Sequence, residues 1–171
     1  AERRIWAFPE ETFLAARAAF HLRYELIPYI YTSARECYDS GLPLCRPLYY
    51  EWPELEDAYT HDGEYLFGEQ LLVAPVTEPR DSLSGCAQVR LWLPPGEWTN
   101  WFTGRTYQGP ADVRLLVPLD EIPVFVRSGG IIAAQPKMRH PGERPVDPLI
   151  LHIWPGESGK TRVYEDDGES Q

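Results

Sequence analysis

A long helical repeat near the start of the chain is the feature that most constrains its fold. Pro9 followed by two glutamates is typical of a helix start, since proline suits the first turn and acidic side chains suit the positive end of the helix dipole. Two adjacent apolar stripes then recur at spacings of three and four. They are Phe13, Ala16, Phe20, Tyr24, Ile27, Tyr31, Ala34 and Tyr38, and Ala15, Ala19, Leu22, Leu26, Ile30 and Cys37. This wide apolar arc predicts a helix with neighbours on more than one side.

The helical repeat contains one interruption and one end. Pro28 lacks an N–H and crowds the carbonyl four residues earlier, which predicts a kink near Tyr24 to Ile27. Gly41 predicts the end of the helix. The apolar segment around Arg46 is bounded by prolines and predicts a buried strand, so residues 41–53 form a helix-to-strand junction.

Short strands separated by turn residues are predicted for the rest of the chain. The apolar period changes to two, and Gly and Pro mark the turns, which indicates an antiparallel β-sandwich. The predicted strands are 71–76, 89–93, 113–117, a pair around the Gly129-Gly130 bend, and a hairpin of 149–154 with 160–164. Residues 139–148 carry three prolines and a glycine and predict a linker.

Composition and charge narrow the class of protein. The chain has 171 residues, of which 43% are apolar, so a packed core is expected. A net charge of -10 argues against a nucleic-acid partner, because phosphate binding needs clustered cations. The absence of an apolar run of 18 residues argues against a membrane span. No signal peptide is visible; the compartment stays open, with the cytoplasm favoured.

Several ordered blocks of sequence resemble glycoside hydrolase family 31, the family of α-glucosidases and α-xylosidases. Each block is weak alone, but together they form a specific pattern over nearly the whole chain. The blocks are residues 22–32, 46–48, 67–76, 93–98, 119–130 and 164–168.

The resemblance implies an α+β fragment from the C-terminal part of such an enzyme. Residues 1–67 would be the last helices and last strand of a TIM (β/α)8 barrel. Residues 68–137 would be the proximal antiparallel β-sandwich, and residues 138–171 the start of the distal one. A barrel-wall helix contacts both the sheet and neighbouring helices, which would explain the two apolar stripes.

The resemblance also implies a retaining hydrolase of α-glucosides or α-xylosides whose two catalytic aspartates precede this sequence. No catalytic residue of the family matches a position here, so the 171 residues alone are expected to be inactive. The implied partner is an α-linked oligosaccharide or glycoside in the complete enzyme. The chain is expected to pack on a preceding barrel or to self-associate through Phe13, Phe20, Leu22, Leu26 and Ile30.

The acidic residues of the chain are expected to be solvated loop and turn residues. The sets considered as catalytic pairs are Glu51 with Glu54, Asp62 with Glu64, and Glu165 with Asp166 and Asp167. The four histidines, His21, His61, His140 and His152, share no metal-ligand spacing, so no metal site is expected. The sequence gives no sign of a cofactor. Cys37, Cys45 and Cys86 are expected to be reduced, buried thiols.

Arg46 is the one candidate substrate-binding residue. A charge within an apolar strand is costly unless it is paired, so a structural ion pair is the first interpretation and substrate contact the second. The aromatic residues Trp92, Trp98, Trp101, Phe102 and Tyr107 are expected to pack in the interior, although aromatic rings also stack on sugars. The alternatives to an enzyme part are a non-catalytic β-sandwich that binds carbohydrate or serves as a scaffold, and an interaction domain without sugar contact.

Overall fold

Two consecutive helices begin the chain in the computed structural model, which describes residues 4–140, 143 and 145–168. Helix α1 spans Glu10–Glu25, α2 spans Ile27–Ser40, and a single turn, α3, spans Asp57–Thr60. Short 3-10 turns lie at Ile5–Ala7 and Leu48–Tyr50. Within the described part of the chain, no helix is long and apolar enough to cross a membrane.

The predicted kink is confirmed as a break between α1 and α2 at Leu26. Pro28 has no N–H for the carbonyl of Tyr24, and the side-chain amide of Gln135 donates to that oxygen instead at 2.8 Å. The backbone N–H of Gln135 also donates to the Glu25 carbonyl at 2.8 Å. The broken turn is therefore completed by the buried Gln135, which directly follows the distant strand at 131–134.

The predicted end of the helix at Gly41 is also confirmed. Its N–H donates to the Cys37 carbonyl at 2.9 Å, and its φ of 76° lies in the left-handed region that favours glycine. The chain then enters the sheet.

Within the described residues, eight strands form two antiparallel sheets. The strands are β1 (Cys45–Pro47), β2 (Tyr65–Phe67), β3 (Leu71–Val73), β4 (Ala87–Asn100), β5 (Thr106–Val117), β6 (Val124–Arg127), β7 (Ile131–Ala134) and β8 (Ile150–Ile153). The larger sheet has the order β1-β2-β3-β6-β4-β5, and β7 pairs with β8 in the smaller one.

The centre of the larger sheet is buried on both faces. Leu72 lies opposite Leu66 and Phe125 and contributes to one core, which also contains Leu48, Trp92 and Trp98. The adjacent residue on each of these strands contributes to a second core. These residues are Phe67, Leu71 and Val126, and they pack with Leu26 and Tyr29 of the helices. This alternation follows from the two-residue period of a strand, and it fixes the pairing register.

The strand at Arg46 pairs antiparallel with β2. Two predicted pairings are wrong. Strands β6 and β7 flank the Gly129-Gly130 bend but belong to different sheets. Residues 160–164 form no strand, and β8 pairs with β7 instead. A turn signal predicts where the chain reverses, but the packing surfaces decide which strand it meets. The predicted linker at 139–148 lies partly outside the described residues.

The Tyr29 hydroxyl joins α2 to the connection between β2 and β3. It donates to the Phe67 carbonyl at 2.6 Å and accepts from the Gln70 N–H at 3.2 Å. Gly68 lies directly beneath it, since an added Cβ would stand 2.2 Å from the hydroxyl oxygen. The backbone of Gly68 has φ of 64°. Both the space and the conformation therefore require glycine at this position.

Glu64 is a buried carboxyl beside β4. Its Oε1 accepts the Trp92 N–H at 2.7 Å, while its Oε2 is buried without a hydrogen-bond partner. Burial raises the pKa of Glu64 to about 8, although the hydrogen bond from Trp92 opposes the shift. Glu64 is therefore neutral in the folded chain at neutral pH.

Replacing Gly68 with alanine should destabilise the chain, because the new methyl group would displace the Tyr29 hydroxyl and strain the backbone. We expect a loss of about 2–4 kcal/mol in the free energy of unfolding, measured by urea denaturation. Gly63→Ala is the matched control, since nothing lies within 4 Å of a Cβ there. Equal stability of the two variants would contradict this role of Gly68.

The stability of the chain should fall as pH rises from about 4.5 to about 8. Below the ordinary pKa of 4.5, Glu64 is protonated in both states, whereas above it the unfolded chain loses a proton that the folded chain keeps. Glu64→Gln should reduce this loss by on the order of 3 kcal/mol, measured by urea denaturation at pH 5 and pH 8. Glu54→Gln, at an exposed glutamate, should keep the wild-type slope. An unchanged slope in Glu64→Gln would disprove the assignment.

Candidate functional site

Arg46 lies on β1 with only 7% of its surface exposed. Its Nε is buried without a hydrogen-bond partner, and none of the carboxylates in the described residues lies within ion-pair distance. The predicted ion pair is therefore not found. The charge still acts on its surroundings. Burial and Glu69 raise the pKa of Glu36, and the positive charges of Arg162 and Arg46 oppose that shift. A substrate contact at Arg46 stays a prediction.

Glu51 belongs to a compact charged and aromatic cluster. Its Oε2 accepts from Arg127 Nη2 at 2.5 Å. The Arg127 guanidinium also lies 5.6 Å from the ring centroid of Trp52 and 5.4 Å from that of Trp98. Arginine between two indole faces is a cation–π arrangement that fixes the loop after β1 to the sheet. The residue types at these positions gave no sequence signal of this cluster, because Arg127 follows Glu51 by 76 residues.

The other candidate acids have separate partners or none. Glu54 and Asp62 are exposed, and Glu64 is buried against Trp92. Asp166 accepts the Tyr31 hydroxyl at 2.6 Å and the Gly168 N–H at 3.0 Å. That bond from Tyr31 is the main reason why the pKa of Asp166 is lowered. Glu54 and Asp62 are therefore solvated, as the sequence predicts, whereas that prediction is wrong for Glu64, which is buried.

The five candidate aromatic residues, which lie on β4, on β5 and in the turn between them, pack against other rings or in the interior as predicted, with one exception. Trp92 and Trp98 are 3% and 1% exposed, and Tyr107 meets Phe125 edge to face. Trp101 packs against His152 and Trp154. Phe102, the exception, has 37% of its surface exposed.

The histidines lie apart from one another in aromatic or helical surroundings. His61 stacks on Trp92, with its Nε2 3.5 Å from Asp112 Oδ1, and His152 contacts Trp101. His21 lies on α1 with a buried Nδ1 that has no partner. Within the described residues, no group of three or more His, Cys, Asp or Glu side chains could hold a metal ion.

A cavity of about 740 Å³ separates α1 from the larger sheet. Ala15, Ala19 and Leu22 line its helical side, and Phe67, Leu71 and Val124 line its sheet side. None of the residues of α1 is fully buried, although the helix carries both apolar stripes. We call this space the helix–sheet cavity.

Three exposed tyrosines form an aromatic cluster that the sequence interpretation missed. Tyr49 and Tyr59 stack with ring centroids 5.1 Å apart and an angle of 8° between their planes, and Tyr50 lies 5.5 Å from Tyr49. Their exposed fractions are 39%, 52% and 50%, respectively. We call Tyr49, Tyr50 and Tyr59 the tyrosine platform. The apolar run 44–52 predicts that Tyr49 and Tyr50 are buried, so the sequence gives no sign of their exposure.

Curated relatives match nearly the whole chain. The α-xylosidase of Saccharolobus solfataricus is 34% identical over 164 residues, which are 95% of this chain and 22% of the relative. Alpha-glucosidase 2 of Bacillus thermoamyloliquefaciens is 31% identical over 96% of this chain and 20% of the relative. The chain thus spans about a fifth of the length of these relatives.

Solved structures give the same assignment. The GH31 dextranase FjDex31A of Flavobacterium johnsoniae, complexed with isomaltotriose, superimposes with a TM-score of 0.88 at 38% identity. The match covers 99% of this chain and 21% of the dextranase. The family model for the glycosyl hydrolase family 31 C-terminal domain matches residues 41–132. On these grounds the chain belongs to glycoside hydrolase family 31.

Proposed function

We propose that this chain is the C-terminal part of a retaining α-glycoside hydrolase that acts on α-glucosides or α-xylosides. The carboxylates that carry out the reaction would lie in a barrel that precedes these residues. The chain would then support the barrel and contribute no reacting group.

The share of the relatives that the chain matches is the observation that carries this proposal. An α-xylosidase and an α-glucosidase both match over about a fifth of their length, so most of each relative lies outside the matched part. The separate engagement of Glu51, Glu64 and Asp166 supports the same conclusion. Each carboxyl already serves a structural contact rather than facing another acid across a cleft.

In the proposed architecture, α1 and α2 are the end of a TIM barrel and the larger sheet is part of the proximal β-sandwich. We place the boundary near residue 41 rather than 67, since β1 and β2 share a sheet with β3. The family model, which begins at residue 41, supports this position. The distal β-sandwich would begin after β7. Strand β8, which follows residue 137, pairs with β7, which precedes it.

The exposed side of α1 is the proposed contact with the barrel. Leu14 and Phe20 are 42% and 50% exposed, and the helix–sheet cavity lies behind the same helix. Of the five residues predicted to mediate contacts, Leu26 is buried, and Leu22 and Ile30 pack on the second core. Phe13 and Phe20 therefore form the remaining contact surface, which a barrel helix would cover.

The 171 residues alone should not hydrolyse 4-nitrophenyl α-glucoside or α-xyloside, because the candidate acids in the described part of the chain form no facing carboxylate pair. A longer protein that carries a family barrel before residue 4 should release nitrophenol, measured by absorbance. Glu51→Gln and Asp166→Asn in the longer protein serve as controls and should retain turnover, because these carboxylates have structural partners. Turnover by the 171 residues would contradict the proposal.

The isolated chain should self-associate through the uncovered side of α1. We expect its apparent mass to rise with concentration in light scattering, because apolar surface favours contact between copies. Phe20→Lys should reduce this rise. Leu83→Lys is the control, because Leu83 is 96% exposed in a loop. This variant should show the same rise in apparent mass as the wild type. A monodisperse monomer at every concentration would argue against this surface.

A further inference from the structure

The tyrosine platform is held in place by the protein interior. Tyr49 and Tyr50 follow Leu48 in one 3-10 turn, and Leu48 is 1% exposed in the first core. The ring of Tyr59 is fixed by its hydroxyl, which donates to the Pro53 carbonyl at 3.0 Å. Ala58, the neighbour of Tyr59, is also buried. Ligand binding would therefore cost little side-chain conformational entropy.

The geometry of the platform leaves aromatic faces open to solvent. Tyr49 and Tyr59 stack on each other, and Tyr50 is tilted by 36° from Tyr49. All three are more than a third exposed. Such rings offer an apolar face with a polar hydroxyl at the edge, a combination that suits ligands with both apolar C–H and polar groups.

Charge around the platform selects the class of ligand. The neighbouring residues Glu54, Glu56 and Asp57 are exposed acids, and the whole chain carries a net charge of -10. This field repels nucleic acids and other polyanions. Carboxylates are hydrogen-bond acceptors, so they can accept from the hydroxyl groups of a neutral sugar. The buried Trp92 and Trp98 cannot offer a comparable surface.

We propose that the tyrosine platform is a binding site for a neutral α-linked glucan chain, whose sugar rings stack on the exposed rings of Tyr50 and Tyr59. This inference rests on the proposed function, which supplies the class of polysaccharide. The platform would hold a glucan chain against the protein by non-covalent contacts and would not cleave it.

Native gel electrophoresis of the 171-residue protein in the presence of dextran or amylose tests the site. We expect one of these polymers to retard the wild-type protein. Tyr50→Ala and Tyr59→Ala should each weaken the apparent affinity by about tenfold, since each removes a stacking ring. Tyr59→Phe keeps the ring and should bind nearly as well as the wild type. Circular dichroism should show that each variant remains folded.

Tyr38→Ala is the matched control, because Tyr38 is 83% exposed on α2, away from the platform. The polymer that retards the wild type should retard this variant equally. Absence of retardation by both polymers, or equal loss in Tyr38→Ala, would overturn the proposal. The proposal would also be overturned if the platform variants changed oligomeric state but were retarded as strongly as the wild type, because that outcome indicates a protein contact.

The platform and the proposed function fail in different ways. If the longer protein hydrolyses an α-glucoside while neither polymer retards the 171 residues, the platform is disproved and the function stands. If the polymers retard the wild type but not Tyr50→Ala, and the longer protein hydrolyses no α-glycoside, the platform is supported and the function is disproved.

Discussion

The hydroxyl of Tyr29 is the contact on which the arrangement of helices and sheet depends. The hydroxyl donates to Phe67 at the end of β2 and accepts from Gln70, the residue directly before β3. Because Gly68 has no side chain, the ring can approach the backbone closely enough to make both bonds. Burial raises the pKa of this hydroxyl, so it stays protonated and keeps its donor. The second core, with Leu26, Leu71 and Val126, closes around this point.

Local features of the fold could be predicted from the sequence. The break at Leu26 and the end of α2 at Gly41 follow from proline and glycine within or directly beside the segment concerned. Strand pairing was less predictable. Nothing near Ile150 specifies Ile131–Ala134 as its partner, and residues near 160 make contacts with α2 instead, as when the Tyr164 N–H donates to Thr32 Oγ1 at 2.9 Å. The amide of Gln135 that completes the broken helix comes from over a hundred residues away.

The candidate site shows the same division between local and distant causes. The exposure of Glu54 and Asp62 could be anticipated from their polar loops, whereas the burial of Glu64 against Trp92 could not, because its partner lies 28 residues further along the chain. Arg46 was correctly predicted to be buried, but the expected ion pair is missing among the described residues. The tyrosine platform could not be predicted, because Tyr59 joins Tyr49 only when the single turn of α3 folds back on the 3-10 turn. An apolar run in a sequence does not say which of its rings will remain outside.

The position of β5 at the border of the larger sheet has a consequence for the behaviour of the chain at high concentration. Among the described strands, β5 pairs only with β4, and a twelve-residue strand with one free side could recruit the same strand from another molecule and seed fibrils. Pro110 interrupts its row of donors, and the exposed charges of Asp112 and Arg114 would meet like charges in many registers. The strand thus carries its own protection against uncontrolled assembly, and within β5 the exposed Leu116 is the position where a polar replacement would improve solubility most.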